Sequence, residues 1–494
     1  RVLGTRAALG AVAMLLASLV ALHALAEGPR SYTGPRAVEH AAIDPPAQPR
    51  VLTEADVERI VARRLAQHRR PTPPAIDPRF QPRKEAFLWG DFSWAPASYA
   101  PAETPLKWGP FTGEIRLDTV YHYSLNHPKD NTIGGSSEVF RHNELQLTQI
   151  GFGGNFFYKN VHARLMTQFG MYSVTTPRND ASYGRGNWRI DDAYRYLSEA
   201  YAGYHIPVLH GINVQAGIFM SYVGLWSYYN FDNWTYQPSY VSSNTPWFFN
   251  GVRVQIFPTA KLKIEPWIVN GWQAYAKLNR SPGFGGQVLW RPTEWLAIVA
   301  NQYYGTDTLG VPDRKRVHTD DSIMVRYFDR PRGAVSRAAL SLTLDAGCEW
   351  GGGVGCKDQY FLGFMAYHRL WFWKNRLGLT VGGGAITNPG RYLVLIPPIN
   401  GATALSGTPY FTAAPGNAYW AWDQQTTLDW MINRHITVRG ELDTRHANVP
   451  YFSGPGGVTP PGGNTGAAGS MVVGWKPDLV KSENRFTLAL MLRY

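Results

Sequence analysis

Hydrophobic and polar positions alternate along the last ten residues of the chain, RFTLALMLRY. Apolar side chains occupy every second position from Phe486 to Tyr494, which is typical of a β-strand whose two faces meet different environments. An edge strand of a soluble sandwich is one interpretation. However, soluble strands usually have about five or six residues, whereas a tilted strand crossing a bilayer needs about 9 to 11. The pattern favours a membrane strand, which must belong to a closed sheet of many strands.

The same alternation recurs throughout the chain after Phe111. Short connections such as YKN and WKNR alternate with long polar or Gly-rich ones, as in outer-membrane barrels. The sequence therefore predicts an all-β fold, a transmembrane antiparallel up-and-down β-barrel of about 16 strands over residues 111–494. The predicted strands are 111–125, 140–158, 161–174, 195–208, 212–224, 247–259, 262–275, 283–293, 295–307, 321–330, 335–349, 359–373, 376–388, 420–433, 436–448 and 483–494.

One further segment, GSMVVGWK near residue 473, is ambiguous, because as a strand it would make the number odd. An even number places both termini in the periplasm, so we assign this segment to a final long loop, 449–482. Tyr494 is then expected at the periplasmic rim, among the aromatic residues of the membrane interface.

The two faces of the predicted strands differ in polarity. In 111–123 the apolar residues Ile115, Leu117 and Tyr121 are expected to face lipid, while charged residues occupy the alternate positions. An Arg or Lys facing lipid at mid-depth costs about 2 to 4 kcal/mol, so the charged side chains should point into the lumen. A barrel of this size is wide enough for an aqueous channel. The default function is therefore a pore for passive diffusion of small polar solutes.

The N-terminal region reads as targeting sequence and linker. Residues 1–26 combine basic residues, an uncharged apolar stretch and a small-x-small run, which predicts a secretory signal peptide cleaved after Ala26; a retained anchor helix is the alternative. Residues 27–110 form a Pro- and Arg-rich periplasmic segment with one amphipathic helix at about 53–70. Such a helix does not fold alone, so it would self-associate, dock on the barrel mouth or belong to a disordered tether.

An exported protein enters an oxidising compartment, where its two cysteines, Cys348 and Cys356 in CEWGGGVGC, can form a disulfide. The glycines between them leave the backbone free to bring the thiols together, so we expect a disulfide that closes an exposed loop. A metal site is the alternative, but the chain has no clustered His to complete it, and no metal or cofactor is expected.

Several stretches after Phe111 resemble the beta-barrel porins of the OmpL-like group, in Gram-negative bacteria. They are RLMTQFGMYSVTTPRND, DAYRYLSEAYAGYH, SYYNFDNWTYQPSYVSSNTPWFFNG, EPWIVNGWQ and VPYFSGPGGVTPPGGNTG. The resemblance implies an outer-membrane location and a porin-like role without a defined substrate. The chain lacks the PEFGG element of general trimeric porins, so a homo-oligomer is left open. The terminal segment Phe486–Tyr494 resembles the signal by which the barrel-assembly machinery recognises its clients.

Basic residues exceed acidic ones by 12 over the whole chain. Outer-membrane lipid and lipopolysaccharide are the expected partners of this charge, and nucleic acid is not. The lumen should be weakly anion-selective at best, because inward carboxylates largely offset inward arginines. The arginines are Arg116, Arg164, Arg253, Arg326 and Arg439; the carboxylates are Glu114, Asp118, Glu144, Glu265, Asp429, Glu441 and Asp443.

Other functions need particular side-chain constellations. An outer-membrane protease would use paired carboxylates and an imidazole, for which His318–Asp321 and the pair Asp191 and Asp192 in predicted external loops are candidates. A phospholipase would need Ser and His on the lipid face, but alternation turns His122 and Ser124 inward. We expect no enzyme. A structural or adhesive barrel without an open pore is the stronger alternative.

The third external loop, residues 225–246, is rich in aromatic residues and carries one charge, Asp232. Left in water, these rings would form an unfavourable apolar patch, so the loop should fold against something. A lid on neighbouring loops or an anchor in the headgroup layer is one outcome. Our hypothesis is that the loop enters the lumen and forms the constriction, with 389–419 as the alternative. Trp234 would then offer a ring face, Arg164 and Arg253 would face the loop, and the polar contacts to solute would come from Asn230, Asp232, Asn233 and Gln237.

Overall fold

The computed structural model of the protein describes residues 55–56, 86–97, 104–136, 138–182, 185–392, 399, 401–407, 410 and 416–494. The chain divides into two compact units, residues 1–75 and 76–494. In the first unit only Ala55 and Asp56 are described, and both are helical. The predicted signal peptide, residues 1–26, and the remainder of the helix predicted at 53–70 lie outside the described residues.

Sixteen strands form one closed antiparallel sheet in the second unit, and a two-residue strand, Lys107–Trp108, pairs with the start of the first of them. Each strand pairs with the next along the chain, and the last pairs with the first through Leu490 opposite Thr119, which closes the barrel. The predicted fold class is confirmed. The strands are β1 Phe111–Ser124, β2 Glu144–Tyr158, β3 Val161–Thr167, β4 Leu197–Ile206, β5 Ile212–Met220, β6 Phe248–Thr259, β7 Leu262–Val269, β8 Gly283–Thr293, β9 Leu296–Gly305, β10 Lys315–Asp329, β11 Val335–Trp350, β12 Tyr360–Phe372, β13 Leu377–Thr387, β14 Trp420–Met431, β15 Ile436–Ala447 and β16 Ser482–Arg493.

Three strand boundaries differ notably from the prediction. The strand predicted at 262–275 ends at Val269. The strand predicted at 161–174 ends at Thr167, and the chain enters the helix Tyr172–Arg178. Gly170 makes this turn with φ +90°, where a Cβ would lie 2.6 Å from the Leu147 carbonyl oxygen. The strand predicted at 321–330 begins earlier, at Lys315. Its first residues were missed because the outward face is mixed, with Lys315 beside Val317, and gives no regular apolar alternation.

The two faces of the sheet have opposite character, as the alternation predicts. On β16, Leu490 is 47% exposed on the outer face, whereas Arg485 and Thr487 are buried inside. On β15, the inward residues Arg439, Glu441, Asp443 and Arg445 are all at most 2% exposed. Polar side chains therefore line the interior and need partners there. Among the described residues, no helix is both long and apolar enough to cross a membrane.

The connections divide the barrel into two ends. Tight turns join the strands at one end, which we call the turn end, and both Phe111 and Arg493 lie there. At the opposite loop end lie L1 to L8, which are residues 125–143, 168–196, 221–247, 270–282, 306–314, 351–359, 388–419 and 448–481. The segment GSMVVGWK lies in L8, outside the barrel sheet, and L8 carries only a two-residue pairing of Phe452–Ser453 with Leu479–Val480. Helices occur in L2, as Tyr172–Arg178 and Ile190–Tyr194, and in L3, as Tyr240–Ser243; single 3₁₀ turns are Asn230–Asp232 and Pro389–Arg391.

Candidate functional site in the barrel lumen

L3 folds into the lumen and contacts inward-facing residues on the opposite wall. The backbone N–H groups of Tyr236 and Gln237 donate to the Glu441 carboxylate at 2.6 and 2.8 Å. The Tyr240 N–H donates to Asp423 at 2.6 Å. Because Glu441 and Asp423 lie on β15 and β14, these bonds carry the loop across the barrel. Its aromatic side chains are buried there: Trp226, Tyr228, Tyr229, Trp234, Tyr236 and Tyr240.

Two buried arginines hold the tip of L3 through its carbonyl oxygens. Arg439 donates to the carbonyls of Asn230, Asn233 and Thr235 at 3.0, 2.6 and 2.7 Å. Arg369 donates to the Trp234 carbonyl at 3.2 Å. Both guanidinium groups pair with Asp429, at 2.6 and 2.7 Å, so the two arginines share one carboxylate. Arginine suits this role because its planar fork can bond several acceptors at once.

Asp232, the single charge of the predicted loop, anchors the tip. One of its oxygens lies 2.8 Å from the Arg116 guanidinium, and the other pairs with Arg493. The Arg116 guanidinium also lies 3.9 Å from the centroid of the Tyr229 ring. The Asp232 side chain is 2% exposed, and its two ion pairs fix the tip of L3 to the wall.

The predicted amide contacts are likewise made within the protein. Asn230 donates to Asp118 at 2.9 Å and to the Tyr172 hydroxyl at 3.2 Å. Asn233 donates to the Ser227 carbonyl at 2.7 Å, and Gln237 donates to Glu138 at 3.1 Å. Folding the loop into a polar lumen requires each buried amide to find a partner, and Asn230 in addition lines a cavity beside L3. A contact of these amides with solute stays a prediction.

The other predicted arginines do not share one wall with L3. Arg164 pairs with Glu114 and Glu199, both at 2.9 Å. It is linked to L3 through these carboxylates, because Glu199 accepts a bond from Tyr229 and Glu114 pairs with Arg116, the partner of Asp232. Arg253, expected to face the loop, lies instead over the rings of Phe219, Tyr201 and Trp267 at 4.4, 4.9 and 5.2 Å. Arg326 lies at the turn end and pairs with Asp329 at 2.9 Å.

A short segment before the barrel, residues 86–97, occupies the turn end of the lumen, and we call it the entry segment. Its side chains Phe92 and Trp94 are 5% and 0% exposed. Trp94 donates through Nε1 to the Glu294 carbonyl at 2.9 Å, and Asp91 pairs with Arg337 at 2.8 Å. The guanidinium of Arg291 lies over the Phe92 ring at 4.4 Å.

The entry segment meets the tip of L3. The Ala97 N–H donates to the Asp232 carbonyl at 2.9 Å, and Trp234 Nε1 donates to the Trp94 carbonyl at 3.2 Å. Sequence reasoning placed 27–110 wholly outside the barrel and missed this contact. The available signal was FLWGDFSW, residues 87–94, in which half of the side chains are aromatic within a Pro- and Arg-rich stretch.

The lumen stays hollow around these two elements. A cavity of about 490 Å³ at the loop end, which we call the vestibule, has the L3 helix Tyr240–Ser243 on one wall. A second cavity, of about 290 Å³, shares Thr245 and Trp247 with the vestibule and extends to Pro96 and Ala97 of the entry segment. A third, of about 350 Å³, lies at the turn end beside Glu114 and Tyr494. A chain of cavities therefore follows L3 from the loop end toward the entry segment.

Residues 110–475, about three quarters of the chain, match the family described as "Putative beta-barrel porin-2, OmpL-like". The chain belongs to this family. It is therefore an outer-membrane β-barrel porin, and the lumen is its functional region. No protein of curated function matches this porin in sequence.

The porin is also similar to solved outer-membrane proteins. An anion-selective porin from Comamonas acidovorans is 10% identical over 78% of this chain and 99% of its own, with a TM-score of 0.46. OmpT of Vibrio cholerae is 11% identical over 79% and 99%, with a TM-score of 0.44. The channel DcaP of Acinetobacter baumannii is 11% identical over 78% and 97%, with a TM-score of 0.43.

The enzyme-like residues of the porin are dispersed. His318 and Asp320 lie within β10, not in an external loop as expected, and they point inward, while Asp321 on the opposite face is exposed. His318 Nε2 lies close to the Asp345 carboxylate, and its Nδ1 shares a hydrogen bond with the Tyr392 hydroxyl. Asp191 and Asp192 lie in a different element, the L2 helix Ile190–Tyr194, beside Arg189. These positions do not form one water-activating cluster.

Two further predicted features have defined places in the porin. Cys348 at the end of β11 is joined to Cys356 of L6 in a disulfide. His122 and Ser124 both lie on the inner face of β1, where His122 bonds the Thr487 hydroxyl at 2.9 Å.

The Tyr236 hydroxyl of L3 is neutral. Burial and the nearby Asp118 carboxylate raise the pKa of Tyr236 well above its ordinary value.

Proposed function

We propose that this porin is a passive-diffusion channel for small polar solutes across the outer membrane. The observation that carries the proposal is the chain of cavities along L3, from the vestibule to Pro96 and Ala97. In this reading the turn end and both chain termini face the periplasm, as an even number of strands and short turns imply. L3 forms the constriction, and the entry segment narrows the periplasmic mouth.

The channel is weakly anion-selective at best. Inward arginines could attract anions, but most of them have carboxylate partners: Arg164 pairs with Glu114 and Glu199, and Arg485 pairs with Glu483 and Asp443. Paired charges produce a weak field in the lumen, because the electric field of an ion pair falls more steeply with distance than that of a single charge. Size and polarity of the solute therefore matter more than its charge.

The remaining partners follow from this location. Outer-membrane lipid and lipopolysaccharide surround the barrel, the barrel-assembly machinery recognises Phe486–Tyr494, and a homo-oligomer is compatible with the outer face. The protein acts without a cofactor and is not an enzyme. Residues 1–26 act as the signal peptide, and 27–110 as a periplasmic segment whose residues 86–97 reach into the mouth of the barrel.

A structural or adhesive barrel without an open pore is the second candidate. The contact that favours it is the junction of the entry segment with the L3 tip, through Ala97 and Asp232 and through Trp94 and Trp234. If this junction never opens, the cavities end at Pro96 and the lumen is closed.

Liposome swelling separates the two candidates. Proteoliposomes are placed in isotonic sugars and amino acids of increasing size, and the reversal potential is measured in a KCl gradient. The channel predicts swelling rates that fall with solute size and a reversal potential at or slightly to the anion side of zero. Folded protein that gives no swelling would support the closed barrel, and clear cation preference would refute the selectivity.

A further inference from the structure

The vestibule contains two stacks of an arginine on aromatic rings. The Arg445 guanidinium lies 4.0 Å from the centroid of the Tyr240 ring. The Arg316 guanidinium lies 4.8 and 5.3 Å from the rings of Tyr392 and Trp272. A guanidinium stacked on a ring face keeps its N–H groups in its own plane, where they can donate to a carboxylate. All five residues line this one cavity.

Cationic side chains outnumber anionic ones around the vestibule. Arg178, Arg314, Arg316 and Arg445 line it, against Asp307 and Glu349. Both carboxylates lie beside Arg316: Glu349 at 2.8 Å and Asp307 at 3.8 Å. Burial lowers the pKa of Arg178 to about 10, which still leaves that side chain charged at neutral pH. Among the side chains that line the cavity, the excess of cations therefore comes from Arg178, Arg314 and Arg445. Arg445 also lies near three carboxylates outside this lining: Asp423, Asp443 and Glu483.

The Arg445 guanidinium contacts the rings of Tyr240 and Phe452, at 4.0 and 5.9 Å from their centroids, and keeps donors that these contacts do not use. It is fully buried, and its Nη1 donates to the Gly135 carbonyl at 2.7 Å. Its Nε and Nη2 make no hydrogen bond within the part of the chain that the structure describes, and the same holds for Nε of Arg314.

The carboxylates near Arg445 already have other donors. Asp423 accepts from the Tyr240 N–H and the Ser239 hydroxyl, at 2.6 and 3.0 Å. Asp443 pairs with Arg485 at 2.5 Å. A buried charge with unused donors is costly unless something supplies acceptors.

We propose that the vestibule binds small organic anions that carry a carboxylate on a flat, aromatic frame. The carboxylate accepts hydrogen bonds from the arginines, and the flat frame lies against Tyr240 and Trp272. The volume of about 490 Å³ falls within the usual range for small-molecule sites, roughly 300 to 1,000 Å³. This inference rests on the proposed channel, because the vestibule would be its outer entrance.

The test uses benzoate, with benzyl alcohol as a neutral probe of similar shape. Binding to the folded full-length protein in detergent is measured by calorimetry, and block of the KCl current is measured in planar bilayers. The variants are Arg445→Gln and Arg314→Gln. Arg332→Gln, in an exposed turn at the opposite end, is the matched control. Heat-modifiable gel mobility reports whether each variant is folded.

Benzoate is expected to bind. Benzyl alcohol should bind with an affinity at least about tenfold lower, because it loses one charge-assisted hydrogen bond. Arg445→Gln and Arg314→Gln should each weaken benzoate about tenfold, and Arg332→Gln should not change it. If Arg445→Gln does not fold, Arg314→Gln decides. Equal affinity for benzyl alcohol, or wild-type affinity in the folded variants, would overturn the site. A KCl current without benzoate binding overturns the site alone, whereas benzoate binding without any current overturns only the channel.

Discussion

Replacing Trp94 with alanine tests whether the entry segment closes the turn end of the lumen. The Trp94 side chain is fully buried, donates to the Glu294 carbonyl and lies 5.8 Å from the Arg326 guanidinium. Removing a buried tryptophan costs about 3 to 5 kcal/mol. Because about 1.4 kcal/mol is a factor of ten, the ratio of docked to undocked segment should fall by roughly two to three and a half orders of magnitude.

The undocked state can be measured directly through a thiol probe. Ala95 is 4% exposed beside Trp94, and the native cysteines are joined in a disulfide, so Ala95→Cys introduces a single reactive thiol. Maleimide should label this thiol slowly when Trp94 is present and much faster in the Trp94→Ala background. Single-channel recordings of the same proteins should show more frequent or larger open states with Trp94→Ala.

Trp188→Ala is the matched control, because this tryptophan is 85% exposed in L2. It should change neither the labelling rate nor the conductance. If folded Trp94→Ala protein keeps the wild-type labelling rate, the segment does not undock as a unit. If labelling accelerates and conductance stays the same, the segment undocks but does not limit the path.

Three further predictions concern L3 and the disulfide. Deleting residues 228–240 should raise single-channel conductance severalfold in a folded barrel. Unchanged conductance would put the constriction elsewhere, with residues 389–419 of L7 as the next candidate. Asp232→Asn should shift the reversal potential toward anions, because Arg116 and Arg493 both lose the negative charge of Asp232, while Arg116 keeps its pair with Glu114. Breaking a buried pair costs about 3 to 5 kcal/mol, so the folded state of the variant is checked first. Asp192→Asn, in L2, should leave the potential unchanged, and an equal shift in both would contradict the role of Asp232. Cys348→Ser with Cys356→Ser should lower the unfolding temperature, in line with about 2 to 3 kcal/mol for a short closed ring, while conductance stays the same; a changed conductance would place L6 in the path.

The alternation of side chains was enough to predict the barrel because lipid and lumen impose opposite polarity on the two faces of each strand. It found the closing strand at Phe486–Tyr494, and it failed at Lys315, where the inward residues Arg316 and His318 are polar and the outward face is mixed. Alternation defines a face of the sheet but not an angular position around the barrel. Arg253 was therefore placed correctly inside and wrongly opposite L3.

The contents of the lumen were only partly predictable. The aromatic composition of L3 with its single charge indicated burial, because so many rings cannot remain in water. The destination of each polar group was not predictable, since Asn230 and Gln237 find partners on Asp118 and Glu138, about a hundred residues earlier. The entry segment was missed for the same reason, because Trp94 bonds Glu294, which lies 200 positions along the chain.

The central claim is that a continuous aqueous path runs along L3 through this barrel. The most direct measurement is the single-channel conductance of the purified, folded protein in a planar bilayer. Discrete, reproducible conductance steps in KCl that grow with salt concentration are the predicted result. Folded protein that inserts into the bilayer and shows no conductance steps at any voltage would contradict the claim.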